Sequence, residues 1–223
     1  MIDRRTLIAS LLVATAAQAQ DLPSDGPANS TPAPATEWND FDITGASPSL
    51  SLSMQATPDG KMVTQDAFRG HVTMLYFGYT FCPDVCPLVM QNVVTALSQA
   101  KDAGTQVRFL FTTVDPQRDT IKVLTGYTQA FGPQFTGLRG DANELERLAR
   151  RYRVAYSVTP NPDPGLYEVS HSDSIFVFDR QLNARLLVPS MASQTPDIDG
   201  LARNLTRLVN EKPSLWGWLR SLV

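Results

Sequence analysis

The sequence predicts an α/β domain: a mixed central sheet flanked by helices, with an N-terminal β-hairpin extension. Three observations lead there. Val72–Phe77 and Val107–Val114 are nearly continuous apolar runs, the pattern of strands buried on both faces. Stretches with apolar residues at helical spacing lie between and after them. A closing pair of strand-like runs, joined by Asp179-Arg180-Gln181, adds an antiparallel portion.

Taken in order, Leu50, Leu52 and Met54 alternate with serines, and Pro58-Asp59-Gly60 marks a turn, so the domain opens with a hairpin. Val72–Phe77, ended by Gly78, is the first buried strand. Val89, Val93, Leu97 and Ala100 then predict a helix from about Leu88 to Lys101. The second buried strand, Val107–Val114, stops at Asp115-Pro116. A helix from Thr120 to about Phe131 follows, with Asp119 as its N-cap. Asn143–Arg153 reads as an amphipathic helix carrying Leu145 and Leu148. Ser174–Phe178 is a third strong strand that pairs with Asn183–Val188, and Asp197–Asn210 closes the domain as a helix. Alternating strands and helices place helices on both faces of the sheet. A thioredoxin-like domain has this make-up, and so do other small α/β folds.

The chain divides into four segments. Residues 1–19 have Arg4 and Arg5, an apolar stretch from Leu7 to Ala17, and the small-x-small pattern Ala17-Gln18-Ala19. These are the marks of an export signal. The apolar stretch falls short of the roughly 20 residues a membrane span requires, which favours a cleaved signal, and the arginine pair also suits twin-arginine export. Residues 20–38 are rich in Pro, Ser and Ala and form a flexible leader, because they cannot bury enough apolar surface to offset their ordering entropy. Residues 39–211 form one domain, and 212–223 an apolar tail containing Trp216 and Trp218. A formal net charge of −3 without long basic runs argues against nucleic acid as a partner.

The chain has two cysteines and two histidines. Cys82 and Cys86 lie in Phe81-Cys-Pro-Asp-Val-Cys-Pro87, between a buried strand and a helix. Functional groups gather at such strand ends, and a helix N-terminus favours a thiolate. On a helix, positions i and i+4 share one face with Cβ atoms about 5–6 Å apart. Two thiolates can then share a metal ion, whereas a relaxed disulfide needs about 3.5–4.5 Å. With one imidazole the set becomes Cys2His, which suits Cu(I), adapts to Cu(II), and lacks the fourth ligand of a closed zinc site. His71 precedes the first buried strand, at the end away from the cysteines, and reads as a surface residue. His171 precedes the third strand, where a polar loop residue and a metal ligand are both open readings.

Three motifs in order, Tyr76-Phe-Gly-Tyr-Thr-Phe-Cys-Pro-Asp-Val-Cys-Pro87, Thr113-Val-Asp-Pro-Gln-Arg-Asp-Thr120 and His171-Ser172 ahead of a strand, closely resemble the Sco/SenC family. The resemblance runs from about Phe41 to Arg207. It implies a thioredoxin-like fold and one copper ion per chain, Cu(I) or Cu(II), held by Cys82, Cys86 and His171. It also implies a metallochaperone role in assembling the dinuclear copper site of cytochrome c oxidase. Asp115 matches the family aspartate that supports the ligands or recognises the partner; a cap after the strand is the plainer reading. Two departures stand out. Ser170 replaces an aspartate that many members carry beside the histidine, and the N-terminus is shorter than the transmembrane tether common in the family.

The leading expectation is therefore periplasmic delivery of copper to the oxidase copper-site subunit, with an upstream copper donor protein as a second partner. The alternative is a thiol–disulfide oxidoreductase that keeps the target's cysteines reduced, with Cys82 attacking and Cys86 resolving. A peroxidase is weaker, because no arginine and hydroxyl cluster accompanies Cys82 in the sequence. The tail Leu215-Trp-Gly-Trp-Leu-Arg-Ser-Leu-Val223 either packs on the domain or touches the membrane surface.

Overall fold

The computed structural model describes residues 38–160, 167–189 and 191–212. The segments read as an export signal, a leader and a tail fall on residues 1–37 and 213–223, outside the described residues. The elements run β1 (Phe41–Asp42), β2 (Ser53–Ala56), β3 (Lys61–Thr64), β4 (Val72–Gly78), α1 (Val85–Gln99) and α2 (Asp102–Thr105). They continue with β5 (Val107–Thr113), α3 (Ile121–Gln129), β6 (Phe135–Arg139), α4 (Ala142–Arg151), β7 (Tyr156–Pro160) and β8 (Tyr167–His171). The domain closes with β9 (Ile175–Phe178), β10 (Ala184–Val188) and α5 (Ile198–Asn210).

An eight-stranded sheet runs in the order β1-β10-β9-β4-β5-β6-β2-β3, while β7 and β8 pair with each other in a separate sheet. Strands β4, β5 and β6 are parallel. The flanking pairs β4–β9, β9–β10 and β2–β6 are antiparallel, which gives the expected mixed sheet. The opening hairpin joins the main sheet: β2 pairs with β6 through Gln55↔Arg139 and Ala56↔Leu138. Every residue of β4 is buried, as its apolar run predicts for a central strand.

Helices cover both faces. Leu75 pairs with Phe176, so the two point to the same face. Tyr152, at the end of α4, packs its ring on Phe176 and Phe178 at centroid distances of 5.2 and 5.7 Å. Tyr76 points the opposite way, toward Phe109 and Phe111. Phe111 in turn meets Tyr127 of α3, and Cys86 of α1 lies against the Tyr76 hydroxyl.

Several elements differ from the sequence expectation. α1 begins at Val85, three residues earlier than expected, and Pro87 fits its first turn because the N–H it lacks has no partner there. The N-cap of α3 is Thr120, whose hydroxyl accepts from the Val123 N–H; Asp119 is fully buried and engaged elsewhere. A capping box of Asp141 and Glu144 starts α4 at Ala142. Strand β6 was not expected, because Phe-Thr-Gly-Leu-Arg shows neither a long apolar run nor clean alternation. His171, expected in a loop, ends β8.

This topology sets where functional groups can meet. The C-terminal ends of β4 and β5 lie side by side. Because β9 is antiparallel to β4, its first residues return to that same edge, which brings the segment just before β9 beside the turn after β4.

Candidate metal centre

Cys82 lies in the turn after β4, where its N–H donates to the Tyr79 carbonyl at 3.3 Å. Cys86 is the second residue of α1. The two therefore do not both stand on the helix face; Cys82 precedes it. Its sulfur accepts from the Cys86 N–H at 3.4 Å, so it caps one of the open donors at the helix start. Both cysteines are free, Cys82 half-buried and Cys86 fully buried.

This asymmetry divides their chemistry. A hydrogen bond from the Cys86 thiol, together with the N–H groups of Cys86 and Asp84, outweighs desolvation and pulls Cys82 down to about 4. Cys86 is pushed up, because its proton is engaged by Cys82 and its sulfur is buried. At neutral pH the pair is one thiolate and one thiol, with the negative charge on the more accessible sulfur.

His171 closes the group. Its Nδ1 lies 2.9 Å from the Ser172 carbonyl, which accepts a hydrogen bond from the Nδ1–H and leaves Nε2 with a free lone pair. Nε2 lies 3.3 Å from Cys86 Sγ. The ring stands edge-on to Tyr76 and Tyr79, at centroid distances of 5.9 and 5.8 Å. The ligand atoms of Cys82, Cys86 and His171 all lie within 4.8 Å of one another, close enough for one ion to bridge them. Two sulfurs and a neutral imidazole are a soft donor set, which fits copper. His71 is remote from this group, at the start of β4, with Nδ1 3.3 Å from the Gln106 carbonyl.

Neighbouring residues fix the group in place. Gly78 sits so close that a Cβ there would lie 2.9 Å from both Phe111 and Tyr76 and 3.0 Å from Cys86 Sγ. Tyr76 donates its hydroxyl to Cys86 Sγ at 3.6 Å. Asp119 accepts from the Thr80 N–H at 3.0 Å, from the Thr80 hydroxyl at 2.5 Å and from the Thr113 hydroxyl at 2.6 Å. Burial still pushes its carboxyl above the ordinary range. Asp115, the candidate from the sequence, is 2 % exposed and bonded to Arg118 and Tyr167. It presents no open face to a partner. Tyr167 stays protonated, pushed up to about 12 by burial and the adjacent carboxylate.

Tyr76, Gly78, Thr80, Arg118 and Tyr167 were not singled out from the sequence as site residues, and Asp119 was read only as a helix cap. Tyr76 and Gly78 read as strand and strand end. The signal available for Tyr76 was a phenol inside a buried run, which requires a polar partner.

A family model described as SCO1/SenC matches residues 54–209. The chain belongs to the SCO1/SenC family. The mitochondrial protein SCO2 homolog of Bos taurus is 39% identical over 120 residues, 53% of this chain and 45% of that protein. The chain thus spans less than half the length of this relative. Arabidopsis thaliana ScoI, solved with copper bound, is 30% identical with a TM-score of 0.66, covering 74% of this chain and 100% of that one. Bradyrhizobium japonicum ScoI, also solved with copper bound, is 31% identical with a TM-score of 0.62, covering 71% and 99%. The central mixed sheet flanked by helices is the thioredoxin-like fold of these SCO1/SenC structures.

Two outcomes follow from this geometry. In the metal-free protein, alkylation should label Cys82 first. Its rate should hold as pH falls from 9 to about 5 and drop only near pH 4, since the folded thiolate titrates at about 4. An inflection at pH 8–9, read by mass spectrometry of the labelled peptide, would refute the thiolate assignment. Gly78→Ala should lower stability by about 1–3 kcal/mol through overpacking against Cys86, measured as a lower urea midpoint; an unchanged midpoint would contradict the contact.

Proposed function

We propose that this chain is an exported metallochaperone that carries one copper ion on Cys82, Cys86 and His171. The observation that carries the reading is the convergence of three soft ligand atoms within 4.8 Å at the sheet edge. Family membership and the copper-bound ScoI structures support it. The target is the dinuclear copper site of cytochrome c oxidase, the role that the family resemblance implies, with an upstream copper donor loading the chain. The N-terminal sequence supports export to the periplasm, and no described helix is long and apolar enough to cross a membrane. The tail at 212–223 is the segment assigned to membrane contact.

Delivery follows from how the ligands are held. Copper is the cargo, and three ligands leave its coordination open to a fourth from the acceptor. A cleft of about 310 Å³ between the Cys82–Val85 segment and His171 provides the approach. Cys82 is the accessible thiolate and thus the first ligand an incoming donor can displace, while Cys86 and His171 hold from the buried side.

The same asymmetry favours a second reading, thiol–disulfide exchange. The Cys82 thiolate would attack a partner disulfide, form a mixed disulfide and release one partner thiolate. Cys86 would give up its proton and attack the Cys82 sulfur, releasing the second partner thiolate. The partner is reduced by two electrons and the Cys82–Cys86 pair oxidised, with the sulfurs closing to about 2.05 Å.

Copper stoichiometry of the reduced protein decides between these readings. One copper per chain is expected, lost in Cys82→Ala and Cys86→Ala and weakened in His171→Ala. His171→Ala should leave reduction of a model disulfide intact. A wild-type protein that binds no copper but cycles the disulfide would overturn the chaperone reading.

A further inference from the structure

His171 rides on an element that the large sheet does not hold. Strand β8 pairs with β7 from Tyr156↔His171 to Pro160↔Tyr167, and neither strand joins the eight-stranded sheet. A ligand on such a ribbon needs other contacts to keep its place, and strand alternation supplies them. Residues two apart share a face, so Tyr167, Val169 and His171 form one row. Val169 is buried at its centre. His171, at one end, meets Cys86.

At the other end of the row, about 13 Å away at 3.3 Å per residue, Tyr167 is gripped twice. Its hydroxyl donates to Asp115 Oδ1. Its ring lies under the Arg118 guanidinium, whose central carbon is 3.9 Å from the ring centroid. Arg118 is itself tied to Asp115 Oδ2 and lies near Tyr79 and Phe81, the residues leading into Cys82. Asp115 and Arg118 both belong to the segment between β5 and α3, whose Asp119 also binds Thr80.

The geometry points to Asp115, Arg118 and Tyr167 as a latch that positions His171: by fixing the far end of β8 it holds the imidazole against the cysteine pair. These are positioning residues, and none of them contacts the copper ligands' donor atoms. The latch rests on the proposed copper site for its purpose, but the placement of His171 can be read without metal.

The test uses the full chain, reduced and metal-free, with Tyr167→Phe as the main variant. That substitution removes one hydroxyl and keeps the ring that Arg118 covers. In the parent protein the His171 ring protons should show NMR shifts displaced by the Tyr76 and Tyr79 rings. In Tyr167→Phe more than half of that displacement should be lost, and Asp115→Ala should act the same way. Copper affinity should fall about 10-fold in Tyr167→Phe, the usual scale for groups that orient a ligand. Combining it with His171→Ala should add no further loss, because both act through one imidazole. Unchanged His171 shifts in Tyr167→Phe overturn the latch, as does a copper loss that adds in full to that of His171→Ala. A parent protein that binds no copper would instead refute the proposed function, leaving the latch to be judged on the metal-free shifts.

Discussion

The parallel pairing of β4 with β5 is the constraint on which the site depends. The register runs from Val72↔Val107 to Gly78↔Thr113 and is continued by the Val114 N–H on the Gly78 carbonyl at 2.8 Å. Because both strands end at one edge, the two segments leaving them, Tyr79–Asp84 and Asp115–Thr120, run side by side. Asp119 then stitches them together, accepting from Thr80 on one segment and from Thr113 at the end of β5. A buried carboxylate is costly when unpaired. Here three donors offset much of that cost, and the raised pKa of Asp119 marks what remains. The cost is borne where it fixes the approach to Cys82.

The same edge explains why the cysteines are unequal. Gly78 lets the first turn of α1 approach β4 until Cys86 Sγ touches the strand, where Tyr76 and His171 close around it. Cys82 stays one turn farther out, in a half-buried position beside the open N–H groups of the helix. One sulfur is thus anchored and the other presented. Ligand exchange and disulfide exchange both call for that arrangement, which is why the site is compatible with either chemistry until the role of His171 is measured.

Much of this was legible in the sequence. The long apolar runs gave β4 and β5, and the repeat of Val89, Val93 and Leu97 gave the body of α1, because buried central elements carry strong periodicity. The candidate ligands were marked by the spacing of Cys82 and Cys86 and, for His171, by the resemblance to a family; the structure brings the three together. Other features were hidden for physical reasons. Strand β6 carries its pairing in the backbone while its side chains are mixed. The β7–β8 ribbon lies apart from the main sheet and buries too little on one face to alternate clearly; Val158 is 51 % exposed. Asp119 was read as a helix cap because a cap and a buried carboxylate use the same residue type, and local sequence does not reveal Thr80, 39 positions away.

Ser170 shows how the structure changes the meaning of a sequence difference. A carboxylate that touches a ligand histidine tunes its basicity, so the serine at 170 matters to affinity only where the two side chains meet. Neighbours along a strand point to opposite faces, however. Ser170 is exposed and shares a hydrogen bond of 2.8 Å with the Ser157 hydroxyl across the ribbon, and it also lines the cleft beside His171. His171 Nδ1–H donates its hydrogen bond to the Ser172 carbonyl. A backbone acceptor is present whatever side chain stands at position 170, so the tautomer that frees Nε2 does not depend on that residue. A carboxylate at 170 would stand in the wall of the cleft beside Cys82 and His171, where its charge acts on whatever enters. In this chain that charge is absent while the hydrogen bond from His171 Nδ1 to the Ser172 carbonyl is retained, so the difference falls on the charge of the cleft wall and not on the tautomer of the imidazole.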